Sequence, residues 1–209
     1  MLNSTISPNE VREIGAKLAD KGLLMLDAPV SGGQVGAEAG TLTLMTSGPE
    51  AAFDRADAVL SAISKKVHRL GDEPGMGATY KVVHQLAAGV HLAAAAELLA
   101  LGTKAGCDPE KLYEIVTTSA GQSWMLGDRG PRMMEEAPTP TSTVEIFVKD
   151  TGLVLQTAKD CGAPVPLTEA ANAMFNKAAE MGLGKEDDAL VIRAYEAITG
   201  RHAYKEPKK

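Results

Sequence analysis

One long apolar segment limits the folds open to this chain more than any other feature. Residues 79–105 read TYKVVHQLAAGVHLAAAAELLALGTKA, with apolar side chains on nearly all sides of a helical projection. A helix that is apolar all round is usually enclosed by other helices. We therefore predict an all-helical domain built around this segment.

Further helix signals follow the long segment and are separated by glycine and proline. The proline-rich stretch EEAPTPTS is the clearest link between two of them. The predicted helices begin at Asp108–Pro109, occupy about 124–136 and 142–161, follow Pro166, and run from about 185 to just before Gly200.

Residues 1–72 alternate between helix and strand signals. Ser7, Pro8 and Glu10 make a capping box at a helix start, and Gly22 ends that helix. LLMLD predicts a short strand buried on both faces, and TLTLMTS and KKVHRL predict two more, with the helix PEAAFDRADAVLSAIS between them. The fold class is therefore α/β plus all-α.

Composition excludes several functions. A formal net charge of −6 and the absence of a basic stripe argue against nucleic acid as a partner. Cys107 and Cys161 are too few for a disulfide framework or a thiolate metal site. We expect no membrane partner, because no apolar run reaches about 18 residues without polar interruption. The N-terminus has no signal-peptide pattern, so we predict a soluble, cytoplasmic protein.

A glycine-rich loop between two predicted strands is the first candidate site. In DAPVSGGQVGAEAG, Gly32 and Gly33 permit a tight turn that exposes backbone N–H groups, and Ser31 adds a hydroxyl. Such a loop suits a carboxylate or a phosphate. Taken alone, it is equally compatible with a turn that binds nothing.

A lysine one turn into the long apolar segment is the second candidate. Burial of Lys81 is costly unless the ammonium is paired or used, and His84 and Gln85 share its helical face. Because burial lowers the pKa of a lysine, Lys81 could serve as a general acid or base. Alternatively, Lys81 reaches solvent from the helix start and its neighbours fill a packing defect. We interpret His91 as a packed histidine.

Two more features have simpler interpretations. Lys149 stands beside Asp150 in the apolar FVKDTGLVL, where a surface ion pair is the plain explanation. Trp124, the single tryptophan, is predicted to wedge between helices. The histidines share no ligand spacing with acids or cysteines, so no metal site is expected. No G-x-G-x-x-G follows any predicted strand.

Four motifs, taken in order along the chain, resemble the β-hydroxyacid dehydrogenases. NSTISP is similar to that family's D-x-S-T-x-x-P, and GMGATYK followed by a polar pair matches G-x-G-x-x-x-K. DAPVSGG…GTLTLMTSG and FVKDTGL complete the set. The family includes 3-hydroxyisobutyrate dehydrogenase, tartronate semialdehyde reductase and L-threonate dehydrogenase, and the resemblance covers practically the whole chain.

The resemblance implies a domain organisation. Residues 1–72 would be the later half of a Rossmann-type NAD(P)-binding domain. Residues 73–203 would be an all-helical 6-phosphogluconate-dehydrogenase-like domain for substrate binding and dimerisation, and 204–209 a flexible tail. A homo-oligomer is accordingly expected.

The resemblance also implies roles for the substrate-facing residues. Ser31, Gly32 and Gly33 would hold the substrate carboxylate. Lys81 would be the catalytic acid/base, moving the hydroxyl proton as hydride passes to or from NAD or NADP.

Three further residues are implied on the cofactor side. Thr5 would approach the nicotinamide ribose. Lys149 would close over the nicotinamide and the substrate, with Asp150 supporting it.

The polar pair after the lysine departs from the family pattern. Most members have two asparagines where this chain has His84 and Gln85. Gln85 still offers an amide, one methylene farther out, and both residues could hydrogen-bond extra substrate hydroxyls. With KVVHQLAAGVHLAAAAE and GKEDDALVI, the chain most resembles the L-threonate dehydrogenase branch, which favours a polyhydroxylated C4 acid.

A second departure concerns the cofactor. Family members carry a strand, G-x-G-x-x-G and a helix ahead of the S-T-x-x-P segment, which cradle the pyrophosphate. The resemblance thus implies an N-terminally truncated dehydrogenase. We expect an NAD(P)-dependent oxidoreductase acting on a small hydroxy acid of the L-threonate or 3-hydroxyisobutyrate class, impaired as an isolated chain. The alternative is a non-catalytic binding or oligomerisation module derived from the same fold.

Overall fold

The computed structural model describes residues 1–204, in two units. The α/β unit is Met1–Gln85 and the helical unit is Leu86–Lys209, so the division falls within one long helix. Most of the predicted tail, 205–209, lies outside the described residues.

The α/β unit begins with a capped helix, as predicted. Helix α1 is Pro8–Ala19; the Ser7 hydroxyl accepts the Glu10 N–H, and the Glu10 carboxylate accepts the Ser7 N–H. Gly22 takes a positive φ of 68° in the turn that follows the helix. The predicted capping box is confirmed.

Three strands form the sheet of this unit. They are β1 (Val30–Ser31), β2 (Leu42–Thr46) and β3 (Ser64–Arg69), in the order β1-β2-β3. β1 pairs with β2 antiparallel and β2 pairs with β3 parallel, across the crossover helix α3 (Glu50–Ile63). The predicted second and last strands and the helix between them are confirmed. The α3 face packs on the sheet through a buried apolar cluster: Leu26, Ala28, Leu42, Leu44, Ala52, Phe53, Ala56 and Leu60.

The prediction of LLMLD as a strand buried on both faces is wrong. Leu23 and Leu24 are exposed, and pairing in this segment is limited to isolated bridges of Asp27 with Leu2 and Ser47. Met25 is buried with Val11 and Ala78 in a small cluster instead. The apolar run therefore marks a segment that is buried at one end only.

The predicted glycine loop is partly helical. Helix α2, Gly33–Glu38, starts directly after Gly32 and precedes β2. Gly32 and Gly33 have φ values of 133° and 62°, which residues other than glycine rarely adopt. The two glycines are thus required by the backbone turn between β1 and α2.

The helical unit contains the predicted helices with small shifts at their ends. A 3-10 helix (Asp188–Val191) occupies the stretch that was predicted to begin the last helix, and a π-helix (Ala179–Leu183) precedes it. The α-helices are α4 (Met76–Lys104), whose first turns belong to the α/β unit, α5 (Pro109–Thr117), α6 (Trp124–Met133), α7 (Val144–Cys161), α8 (Pro166–Ala178) and α9 (Ile192–Thr199).

Helix α4 supplies the core of the helical unit. Leu92, Ala96 and Leu99 are fully buried and pack in one cluster with apolar residues of the later helices, such as Phe147 and Phe175. By length and composition α4 could also cross a membrane, with a mean hydropathy of 1.5, which the sequence analysis did not anticipate. We interpret it as a core helix because of this burial.

Two interpretations of single residues are wrong. Trp124 is 55% exposed and does not wedge between helices; the Arg129 guanidinium lies 5.7 Å from its ring centroid. His91 is exposed rather than packed. His91 stands on a helix whose residues are mostly apolar, so composition of the surrounding segment was a poor guide to its own orientation.

A buried charge network fixes the start of α7. Asp187 accepts the backbone N–H of Thr141 at 2.9 Å and pairs with Arg132 at 3.1 Å. Burial alone would raise the pKa of Asp187. The backbone N–H groups of Thr141 and Ala189 and the charge of Arg132 outweigh this effect and hold the pKa of Asp187 below its usual range. The neighbouring Asp188 binds Arg129 through both carboxylate oxygens.

Close packing of α4 on α7 can be tested at a glycine. A Cβ on Gly89 would lie 2.7 Å from Thr151 Cγ2, whereas a Cβ on Gly152, also within a helix, meets nothing within 4 Å. Gly89→Ala should lower the free energy of unfolding by about 1–3 kcal/mol through overpacking. Gly152→Ala should leave it unchanged or raise it by up to about 1 kcal/mol. Urea unfolding checks both, and equal stability of the two variants would contradict the packing.

Candidate active site

Four of the predicted site residues meet in one hydrogen-bonded cluster in the α/β unit. Lys81 Nζ donates to Gln85 Oε1 at 2.7 Å, and His84 Nδ1 lies 3.0 Å from the same oxygen. His84 Nε2 lies 3.2 Å from Ser31 Oγ. We call these residues the polar cluster: Ser31, Lys81, His84 and Gln85.

Helix and sheet geometry together assemble the polar cluster. Lys81 and Gln85 are four residues apart on α4, so their side chains meet on one face. Ser31 ends the edge strand β1, where it is in register with Thr43 of β2. The strand pairing brings the glycine turn to the helix, and the contact between Ser31 and His84 spans 53 residues of sequence.

Two members of the polar cluster, Lys81 and Gln85, are shielded from bulk water. Lys81 is 7% exposed and Gln85 is 6% exposed, so the amide oxygen binds the ammonium away from bulk water. The interpretation of Lys81 as a side chain that reaches solvent is wrong.

His84 is more open, yet its titration is affected by the same surroundings. Partial burial of the ring lowers the pKa of His84, and the Lys81 charge acts in the same direction. The hydrogen bond with Gln85 opposes both effects. The neutral imidazole is therefore favoured.

The turn beside Ser31 presents backbone rather than side chains. A Cβ on Gly33 would meet nothing within 4 Å, so space is open there, and Gly33 is exposed. A Cβ on Gly32 would lie 3.1 Å from Leu42 Cδ2, so that side of the turn is packed on β2. The open side is the one available to a ligand.

One buried carboxylate that the sequence analysis did not single out positions the helix that carries Lys81. Asp27 Oδ2 accepts the backbone N–H groups of Gly75 at 2.9 Å and Ala78 at 2.8 Å, and the Ser47 hydroxyl at 3.2 Å. Ser47 Oγ in turn accepts the N–H of Gly77 at 3.0 Å. Three N–H groups of the α4 start are thus satisfied, and the carboxylate charge faces the positive end of the helix.

Asp27 is 1% exposed and has Oδ1 buried without a hydrogen-bond partner among the described residues. Burial raises the pKa of Asp27, against the lowering effect of the N–H and hydroxyl groups that donate to it. Its signal in the sequence was an acidic residue ending an apolar run, just ahead of the glycine turn.

The predicted cofactor-side residues lie on other elements of the chain. Thr5 lies in the extended segment before α1. Lys149 and Asp150 lie on α7 in the helical unit, where Lys149 Nζ is 2.7 Å from the buried Asp150 Oδ1. The ion pair is the arrangement favoured by sequence, with its acid buried rather than at the surface. Within residues 1–204, no group of three His, Cys, Asp or Glu side chains is arranged to hold a metal ion.

Two family models match the chain. The first, described as the NAD binding domain of 6-phosphogluconate dehydrogenase, matches residues 1–71. The second, described as NAD-binding of NADP-dependent 3-hydroxyisobutyrate dehydrogenase, matches residues 75–195.

Individual proteins match over almost the whole chain. L-threonate dehydrogenase of Cupriavidus necator is 50% identical over 196 residues, which are 94% of this chain and 66% of that protein. The solved structure of 3-hydroxyisobutyrate dehydrogenase from Salmonella typhimurium has a TM-score of 0.89 at 50% identity, over 91% of this chain and 67% of that one. The Mycobacterium tuberculosis 3-hydroxyisobutyrate dehydrogenase has a TM-score of 0.77 at 31% identity, over 91% and 67%. The chain thus spans about two thirds of its relatives' length.

One prediction from this site concerns the titration of His84. Its pKa should lie below the ordinary 6.5, because protonation adds charge beside Lys81 in a partly buried place. Lys81→Met removes the positive charge and should raise the midpoint. NMR titration of the His84 ring measures both, with Lys66→Met on exposed β3 as a control expected to change nothing. A wild-type midpoint at or above 6.5 would contradict this account.

Another prediction concerns the anchor of helix α4, which is Asp27 together with the Ser47 hydroxyl. Ser47→Ala leaves the buried Gly77 N–H without its acceptor and should lower the free energy of unfolding by about 1–3 kcal/mol. Ser64→Ala is the matched control, because its hydroxyl only donates to the Leu60 carbonyl at a half-buried place, and it should cost under about 1 kcal/mol. Urea unfolding of both variants gives the comparison, and a Ser47→Ala protein as stable as wild type would refute the anchor.

Proposed function

This chain belongs to the β-hydroxyacid dehydrogenase family, and from that premise we propose that it serves NAD(P)-dependent oxidation or reduction of a small hydroxy acid. The resemblance drawn from the four motifs is confirmed, and so is the fold class that it implied, a Rossmann-type part followed by a 6-phosphogluconate-dehydrogenase-like helical domain. The activity, substrate and partners of the whole protein are proposals.

The observation that carries the proposal is the buried Lys81 within the polar cluster. Its ammonium is held by a neutral amide oxygen, and through His84 the same cluster includes a serine hydroxyl next to a glycine turn with open space at Gly33. A proton donor beside an anion-compatible turn suits a substrate that has both a carboxylate and a reacting hydroxyl.

Each part of the cluster has a defined task in the proposal. The backbone N–H groups of Gly32 and Gly33 hold the substrate carboxylate, with Ser31 beside them. In the direction of oxidation, neutral Lys81 takes the proton from the substrate hydroxyl; in reduction, its ammonium returns a proton to the carbonyl oxygen. NAD or NADP, when bound, supplies the acceptor or donor of the hydride. Gln85 orients Lys81, and His84 orients both Gln85 and Ser31.

The expectation of NAD or NADP as cofactor is supported by both family matches, which are to NAD-binding models. Thr5, Lys149 and Asp150 stand at the motif positions that would approach the nicotinamide. The 209 residues contain no G-x-G-x-x-G turn, whose glycines let the backbone approach a pyrophosphate. We therefore propose that the 209-residue polypeptide, tested alone, binds NAD(P)H weakly and turns over slowly.

The substrate class that we propose is a polyhydroxylated C4 acid such as L-threonate. The 50% identity to L-threonate dehydrogenase supports it. 3-Hydroxyisobutyrate is the second candidate, supported by the match to the family model of that enzyme. A cytoplasmic homo-oligomer without a nucleic-acid or membrane partner stays a prediction.

The test of the proposal is loss of catalysis at Lys81. Lys81→Ala should reduce the rate of NAD(P)H formation from L-threonate by about 10²–10⁴-fold, the usual contribution of a positioned acid/base. Substrate binding should be weakened far less. The rate is followed by the absorbance of the reduced nicotinamide at high cofactor concentration, and Lys66→Ala is the control.

Two outcomes would count against the proposal. A wild-type rate in Lys81→Ala would remove Lys81 from the mechanism. No turnover of any hydroxy acid by the wild-type protein, at cofactor concentrations well above any measured Kd, would favour the non-catalytic module.

A further inference from the structure

The Gln85 amide oxygen is placed between two nitrogen atoms, and this fixes the position of a proton. Lys81 Nζ, as an ammonium, can only donate, so the amide must present Oε1 to it at 2.7 Å. A carbonyl oxygen only accepts. His84 Nδ1, 3.0 Å from the same Oε1, must therefore carry a hydrogen and donate it.

The second ring nitrogen of His84 then has a lone pair instead of a hydrogen. A neutral imidazole has one N–H, and the neutral form is favoured because burial and the Lys81 charge lower the pKa of His84. Nε2 is 3.2 Å from Ser31 Oγ. The Ser31 hydroxyl must therefore donate to His84.

This direction leaves Ser31 with accepting capacity only. A serine hydroxyl has a single hydrogen and two lone pairs. Since the hydrogen is held by His84, Ser31 cannot donate it to a substrate carboxylate without breaking that bond. The carboxylate is left to the N–H groups of the glycine turn, and the Ser31 oxygen is left with the role of an acceptor.

We propose that Ser31 accepts a hydrogen bond from a substrate hydroxyl other than the reacting one, its own proton being held by His84. The proposal rests on the function proposed above and specifies its substrate class. An acid with a hydroxyl beside Ser31 should bind more tightly than an acid with a hydrogen or an alkyl group there. Those groups would cover the Ser31 oxygen without donating a hydrogen bond to it.

The proton assignment can be tested without substrate or turnover. Nitrogen-15 NMR of the histidine side chains distinguishes the two neutral tautomers, with the His84 signals assigned by their loss in His84→Asn. The 209-residue chain at neutral pH should show His84 as the Nδ1–H tautomer. In Gln85→Leu the acceptor is removed, and that preference should fall. An Nε2–H tautomer or a protonated ring in the wild-type chain would overturn the proposal.

The acceptor role is tested with L-threonate and its three monodeoxy analogues. Calorimetry or NMR titration gives the Kd of each for the wild-type chain, Ser31→Ala and the control Ser64→Ala. Loss of one non-reacting hydroxyl should weaken binding by roughly tenfold in wild type and in Ser64→Ala, and by less than about twofold in Ser31→Ala.

The outcomes separate this inference from the proposed function. Tight binding of all four acids without discrimination, or discrimination that survives in Ser31→Ala, would overturn the role of Ser31 while leaving a hydroxy-acid site. Failure of the chain to bind any of the four acids would overturn both the site and the Ser31 role, with the tautomer measurement still deciding the proton position.

Discussion

The start of helix α4 depends on one buried carboxylate. Asp27 and the Ser47 hydroxyl satisfy three backbone N–H groups of the first turn, at the end where the helix dipole favours negative charge. A 29-residue helix is rigid along its length, so fixing its first turn fixes everything displayed one and two turns later. The side chains concerned are Lys81, His84 and Gln85. The cost of this arrangement is a desolvated carboxylate, and the raised pKa of Asp27 reflects it.

The Gln85 amide gives the site its chemical direction. One oxygen accepts from the Lys81 ammonium and from the His84 ring N–H, so both groups share this neutral partner. A carboxylate in this place would hold the Lys81 ammonium more tightly and would repel an acidic substrate. The amide oxygen also directs the hydrogen bonds from Ser31 through His84 in a single sense.

Local patterns sufficed to predict some of this site, and three-dimensional pairing was needed for the rest. The four-residue spacing of Lys81 and Gln85 on an apolar segment predicted a shared face. The contact of Ser31 with His84 depends on β1 pairing with β2, which no local signal encodes. Asp27 was missed because the donors of a buried carboxylate come from segments 20 and 48–51 residues away. LLMLD was misjudged because an apolar run does not reveal whether both of its ends are covered.

The central claim is that the helix anchored through Asp27 presents a polar cluster that removes a proton while a hydride leaves the substrate. Single-turnover isotope transfer tests it most directly. L-threonate deuterated at its oxidised carbon is mixed with the protein and NAD⁺ or NADP⁺ at high concentration, and the nicotinamide is analysed by mass spectrometry. The account predicts that deuterium appears on the reduced nicotinamide in proportion to product. Oxidation of the acid with the label lost to water, or no oxidation while the acid is bound, would contradict it.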